Sequence, residues 1–335
     1  MNTLVTGGSG FIGSSLVSKL LKDGNNVIIL SRDKRRIDNH FKERVKFLEA
    51  DICEPTSLEI LPKTLHMDII FHLAASLSYF GNKRKLFEAN VKGTENLLRW
   101  AEKNRVKKFI FTSSIEAMGT IREKDIPADE TYACNPVSPY GTSKLQAEKQ
   151  VKEFAREIDP SAVIVRLGNV YGPGSPAFIL PIVDAILKKN KLLQFLPFYK
   201  DHYLHPVFVE NAADGIIKAA ERGKSSETYI IAGDEYVTIG ELFEQIAEII
   251  DSEIKKNRAN NLFNKGYIYF RNYIHMLQNR ADLIDYFIAG KGKRIHRAYS
   301  TEKALKELNY YPNTKLKEGI KVTIDWLKKE GYLSI

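Results

Sequence analysis

The chain has 335 residues, 44% of them hydrophobic and 27% charged, a balance that supports a large packed core and excludes disorder, collagen-like repeats and disulfide miniproteins. No run of about 18 apolar residues offers a bilayer span. The opening MNTLVTGGSG lacks a secretory leader's basic and apolar regions, and Cys53 and Cys134 are the only cysteines, so a reducing cytoplasm is the expected setting. A net charge of +9 admits acidic small molecules, anionic lipid surfaces and nucleic acid as partners.

In chain order, Thr3 to Thr6 is a predicted strand, followed by TGGSGFIG and a helix from Gly13 to Lys22. This order places Gly7, Gly10, Phe11, Ile12 and Gly13 between strand and helix. A tight turn needs positive φ, a close phosphate needs a missing side chain, and a helix N-terminus presents N–H groups to an anion. The segment reads as a pyrophosphate cradle, although its G-x-x-G-x-x-G spacing is one residue longer in the first gap than the common dinucleotide fingerprint. By themselves the glycines also fit a plain tight turn.

A second strand, Val27 to Leu30, runs into SRDKRR. An acid at this strand end would accept the ribose 2′-OH of NAD. Here Arg32 stands at that place, backed by Lys34, Arg35 and Arg36, a cluster suited to a 2′-phosphate. NADP is therefore favoured over NAD, the alternative being a solvated basic loop; Asp33 is the acid in a register shifted by one residue. Further strands are predicted at Val45 to Leu48, Ile69 to Leu73, Phe109 to Thr112 and Val163 to Leu167, with helices at Arg84 to Lys103 and Tyr140 to Ile158. Short apolar strands alternating with amphipathic helices predict an α/β doubly wound parallel sheet over residues 1–170.

At YGPGSP the rhythm breaks, and a smaller C-terminal substrate lobe is expected over 171–335. The chain is expected to return to the first domain at about 204–232, with a helix from Glu210 to Arg222 and a strand from Tyr229 to Ala232. Helices are also predicted at Thr238 to Asp251 and Lys315 to Lys329. Residues 255–297 mix Lys and Arg with Phe263, Tyr267, Tyr269, Phe270, Tyr273, Tyr286 and Phe287. Leu262, Phe263, Tyr267, Phe270, Ile274 and Leu277 approach the spacing of a membrane-surface helix, but packing within the second lobe is the favoured reading. No nucleic-acid-binding module is recognised.

Tyr140 and Lys144 lie four apart in YGTSK, on one helix face. A phenol with pKa near 10 is a weak base at pH 7, and lowering it by about 3 units requires roughly 4 kcal/mol. One ammonium at about 4 Å supplies about 1 kcal/mol in water and about 4 at an effective dielectric near 20. The pair therefore predicts a partly dry pocket in which Lys144 and an oxidised nicotinamide lower the phenol. Ser114, in FTSSIEAMG, is placed to hold a substrate oxygen beside Tyr140.

With the glycine turn, NVKGTENLL, FTSSIEAMG, YGTSK, RLGNVYGPG and the closing KALKELNYYPNTKLKEGIKVTIDWLKKEGY in one chain, the sequence resembles the extended short-chain dehydrogenase/reductase family. That family includes nucleotide-sugar epimerases and dehydratases and dihydroflavonol-reductase-like enzymes. The resemblance implies a Rossmann sheet and a catalytic triad in which Tyr140 is acid/base, Lys144 tunes it and binds the nicotinamide ribose, and Ser114 polarises the substrate oxygen. It further implies cofactor contacts from Asp51, Ile52, Leu73, Ala74, Ala75 and Asn90, no metal, and a homodimer. In this pattern His72 is a packed strand residue rather than a catalyst.

Glu116 stands where sugar dehydratases carry a glutamate used on the ring, but Ile115 replaces the preceding Asp or Ser; as an alternative, Glu116 is a solvated loop carboxylate. The aromatic stretch FLPFYKDHYLHPVFVENAADG lacks the Arg that would contact nucleotide phosphates and suits a bulky apolar substrate better. The favoured function is an NADP(H)-dependent oxidoreductase interconverting a hydroxyl and a ketone or aldehyde. The alternatives are a nucleotide-sugar epimerase or dehydratase with tightly bound NAD(P) and no net redox, and a non-catalytic dinucleotide-sensing scaffold.

Overall fold

The computed structural model describes residues 1–33, 41, 43–60, 66–77, 83–157, 161–187, 201–252 and 296–333. Lys34 to Arg36 and nearly all of the basic aromatic stretch lie outside the described residues. Seven parallel strands form one sheet: β1 (Asn2–Thr6), β2 (Asn26–Ser31), β3 (Lys46–Glu49), β4 (Ile69–His72), β5 (Lys108–Ser114), β6 (Ser161–Leu167) and β10 (Thr228–Ile231). Their order is β10-β6-β5-β4-β1-β2-β3. The order reverses direction between β1 and β4, and in open α/β sheets ligands bind at such a switch point, beyond the carboxyl ends of the strands.

Strand periodicity explains how both faces are covered. Val5, Ile29, Phe71, Ile110 and Val165 point to one face and pack under α1 (Phe11–Lys22) and α6 (Val209–Arg222). Their neighbours Leu4, Ile28, Ile70, Phe109 and Ile164 point to the other, beneath α3 (Gly93–Lys103) and α4 (Pro139–Glu157). A strand with apolar side chains at every position can be stable only between two helical layers. Doubly wound α/β architecture follows from those runs, as the sequence predicts.

The helix expected from Arg84 to Lys103 is divided into α2 (Lys83–Phe87), a π turn (Glu88–Lys92) and α3. This wider turn carries Asn90 and is followed by Gly93, where an added Cβ would lie 2.8 Å from the Ile52 side chain. Two short pairs, β7 (Asn169–Tyr171) with β9 (Pro206–Phe208) and β8 (Tyr203–Leu204) with β11 (Val237–Thr238), were not predicted from sequence. Neither was α5 (Ile179–Leu187), which with α7 (Ile239–Ile249) and α8 (Leu316–Lys329) surrounds a separate apolar core containing Ile182, Leu242, Ile246, Ile320 and Ile324. Among the described residues no helix is long and apolar enough to cross a membrane.

Candidate active site

The turn between β1 and α1 brings backbone against backbone. Gly7 has φ +72°, and a Cβ there would lie 2.8 Å from the Ala74 nitrogen. A Cβ on Gly13 would lie 2.1 Å from the Gly7 carbonyl oxygen, so α1 can start this close only with glycine there. The N-cap of α1 is Gly10, and no acid stands in its first turn to offset the positive end of the helix. A helix N-terminus of this kind presents backbone N–H groups to an anion.

Beyond the strand ends lies a cavity of about 1350 Å³. It brings together Gly7, Gly10, Phe11, Ile12, Gly13, Arg32, Asp51, Ile52, Leu73, Ala74, Ala75, Ser114, Glu116, Tyr140 and Lys144. Asn90 stands behind this wall. Its carbonyl accepts from the Ser76 nitrogen at 2.7 Å, and its amide donates to the Ser76 carbonyl and to Ser143 Oγ, both at 3.0 Å. Ser143 in turn donates to the Tyr140 carbonyl at 2.7 Å. Asn90 thus ties the loop after β4 to the first turn of α4.

Arg32, one residue past β2, is 71% exposed and reaches Asp51 at 3.7 Å. Asp33 lines the same wall. Asn169 and Val170, from RLGNVYGPG, join Ala177, Phe178, Leu180 and Pro181, which motif reading did not single out, in a mainly apolar lining.

Tyr140 and Lys144 are buried on one face of α4. Lys144 Nζ donates to the Thr112 carbonyl at 2.7 Å and lies 4.6 Å from the centre of the Phe111 ring. The expectation of a lowered phenol is corrected for the chain's own groups: burial raises Tyr140, the Glu116 carboxylate raises it further, and a hydrogen bond with Ser114 only partly opposes them. Lys144 is turned toward a backbone carbonyl, so desolvation wins. His72 is buried between Thr6 Oγ1, at 2.7 Å from Nδ1, and Thr94 Oγ1, at 2.9 Å from Nε2. Burial, with Lys144 adding to it, pushes it down to about 3, and it is absent from the cavity lining.

Burial also pushes the Lys144 ammonium down from 10.5 to about 8, against the pull of Glu148. Between those values the unfolded chain holds this proton better than the folded one, so stability rises with pH across that window. Lys144→Met is expected to be more stable than the parent at pH 7, by up to about 3 kcal/mol, with the gap closing as pH rises past 8 toward about 10. Urea unfolding at both ends of the window checks this; a gap that does not narrow removes the buried ammonium as its source.

Glu116 is not a solvated loop carboxylate. It is 5% exposed and forms an ion pair at 2.6 Å with Arg297, itself 1% exposed. Its Oε2 also accepts from Ser138 at 3.3 Å. Arg297 is the site-adjacent residue that sequence reasoning missed. It lies at the end of the basic aromatic stretch, and nothing in local spacing signals its return to the FTSSIEAMG loop. Among the described residues no cluster of His, Cys, Asp and Glu could hold a metal.

Comparison with known proteins agrees with this fold. The chain is 28% identical to the human dTDP-D-glucose 4,6-dehydratase over 98% of its own length and 90% of that protein's. The UDP-glucose 4-epimerase of Thermotoga maritima, solved with UDP-glucose, superposes with a TM-score of 0.77 at 25% identity, over 98% of this chain and 99% of that one. The UDP-glucose 4-epimerase of Thermus thermophilus, solved in complex with NAD, shares the fold with a TM-score of 0.76 at 23% identity, over 99% and 100% of the two chains. The model of the NAD dependent epimerase/dehydratase family matches residues 3–232, well over half of the sequence, and the chain belongs to that family of extended short-chain dehydrogenases/reductases.

Proposed function

We propose that this enzyme is an NADP(H)-dependent oxidoreductase that interconverts a hydroxyl and a ketone or aldehyde. The observation that carries the reading is that Ser114, Tyr140 and Lys144 share one cavity with the glycine turn. In this reading residues 1–170 hold the cofactor, with a return at about 204–232, and residues 171–335 mainly bind substrate.

Bound along the cavity, a nicotinamide cofactor supplies hydride transfer. Gly7, Gly10 and Gly13 would hold its pyrophosphate, with Phe11 and Ile12 beside them. Asp51, Ile52, Leu73, Ala74 and Ala75 line the remaining wall, and Lys144 would bind the nicotinamide ribose. Ser114 orients the substrate oxygen, and Tyr140 carries the proton. A phenol is protonated at neutral pH and can give its proton to the oxygen formed as a carbonyl is reduced. An apolar far end, from Val170 to Pro181, supports a substrate with apolar bulk.

Arg32 supports NADP, since its exposed guanidinium stands at the end of β2. Arg32→Ala is expected to weaken NADPH binding much more than NADH binding in fluorescence titrations. Equal losses would remove the 2′-phosphate contact.

The internal-redox reading is favoured by the activities for which the relatives are named. Release of nucleotide on denaturing the purified protein separates the two. The proposal expects little bound cofactor and reversible NADPH binding. Near-stoichiometric release of oxidised cofactor would instead establish an enzyme that removes and returns hydride without net redox.

A further inference from the structure

Glu116 makes three contacts that converge on the two side chains assigned to the reacting oxygen. Its backbone N–H donates to Ser114 Oγ at 3.2 Å. Its carbonyl oxygen lies against the first turn of α4, so closely that a Cβ on Gly141 would be 2.2 Å away. Its carboxylate accepts from Ser138, the residue immediately before α4. Ser138 Oγ in turn accepts from the Gly141 N–H, and the Ser138 carbonyl accepts from the Thr142 N–H, both at 2.9 Å.

This is an N-terminal cap, which fixes the direction in which a helix leaves its preceding loop. Pro139 at the first helical position strengthens the same start, because its fixed φ suits a helix and it lacks an N–H to satisfy. Tyr140 is the next residue.

A carboxylate this buried needs a cation. Arg297 supplies it, and Arg297 is itself tied to other parts of the fold. Its N–H donates to the Tyr203 carbonyl at 2.9 Å, the adjoining His296 carbonyl accepts from the Ile121 N–H at 3.0 Å, and the Ala128 N–H donates to the Ala298 carbonyl at 3.1 Å. The segment from 296 to 300 is therefore braced on two sides where its guanidinium meets Glu116.

We propose that Arg297, acting through Glu116 and the Ser138 cap, is a positioning residue that sets the placement of Tyr140 and Ser114. Glu116 then serves as the hub of that placement rather than as a base acting on substrate. The functional meaning rests on Tyr140 and Ser114 as the reacting groups, whereas the coupling itself is independent of that reading.

The test is residue-level hydrogen exchange on the full chain, with Ser138→Ala as the reference for a lost cap. Arg297→Gln is expected to speed exchange at Gly141 and Thr142 by about five- to tenfold, as Ser138→Ala does, while Val151 in the middle of α4 stays slow. Arg297→Lys, which keeps a cation opposite Glu116, is expected to bring both amides back toward the parent rate. Unchanged exchange at Gly141 and Thr142 in Arg297→Gln overturns the proposal, as does equal acceleration throughout α4. Rates in Arg297→Lys as fast as in Arg297→Gln also overturn it, because the charge would then play no part.

If Arg297→Gln does not fold, Glu116→Gln combined with Arg297→Met removes both charges together and carries the same expectation at the same two amides. Failure of Tyr140 as the acid/base would show in Tyr140→Phe turnover and would leave these exchange rates as they are.

Discussion

Tyr140→Phe is expected to bind the cofactor like the parent and to lose about 10²- to 10⁴-fold in turnover, the usual contribution of a positioned acid or base. The substitution removes one oxygen from the first turn of α4 and keeps the ring that fills the buried site. Gly7, Gly10 and Gly13 lie across the cavity and are untouched, so cofactor affinity is the internal control. Because a phenol is protonated at neutral pH, the parent is expected to reduce carbonyls there and to oxidise alcohols better as pH rises, with burial and Glu116 moving that rise to higher pH. Stopped-flow or steady-state rates in both directions check this. Undiminished turnover in Tyr140→Phe would remove the phenol from the chemistry.

Arg166→Met is expected to destabilise the fold by about 3–5 kcal/mol, the range for breaking a buried ion pair from one side. Arg166 and Glu148 are 3% and 2% exposed and meet through two hydrogen bonds, Nε to Oε1 at 2.9 Å and Nη2 to Oε2 at 2.7 Å. Glu148 Oε1 also accepts from Ser113 Oγ at 2.6 Å, and Arg166 Nη2 donates to Cys134 Sγ at 3.2 Å. The pair therefore joins β5, α4 and β6 directly beneath Ser114 and Lys144.

Removing Arg166 alone leaves a carboxylate in a dry interior. Removing Glu148 as well, as Glu148→Leu combined with Arg166→Met, is expected to recover most of the loss, because two apolar side chains need no compensation. Urea unfolding of the single and double variants measures this. A double variant as unstable as Arg166→Met would show that packing volume, rather than charge, dominates at this site.

Local pattern was enough where the physics is local. Apolar runs such as Val27 to Leu30 and Val163 to Val165 can be stable only between two layers, so parallel α/β architecture is legible from them. Gly7, Gly10 and Gly13 declare their turn because no side chain fits there. Tyr140 and Lys144 share a face because four residues make about one helical turn. For the same reason, the glycine turn and the shared face of Tyr140 and Lys144 could be located before any fold was known.

The remaining features depend on contacts between distant segments. Asn90 sits in a π turn from which its side chain meets Ser76 and Ser143, contacts that the even spacing of NVKGTENLL does not disclose. The Tyr140 phenol shifts upward because the fold buries it beside Glu116 and turns Lys144 toward Thr112; residue spacing describes proximity along a helix and carries no information about desolvation. From sequence Glu116 reads either as a glutamate acting on a sugar ring or as a solvated loop acid, and neither reading contains the Arg297 that the fold places against it. What the amino-acid sequence by itself determined was the layered sheet, the glycine turn and the helix face shared by Tyr140 and Lys144. Only the tertiary structure decided the charge environment of those residues, because burial and ion pairing arise from segments that meet only on folding.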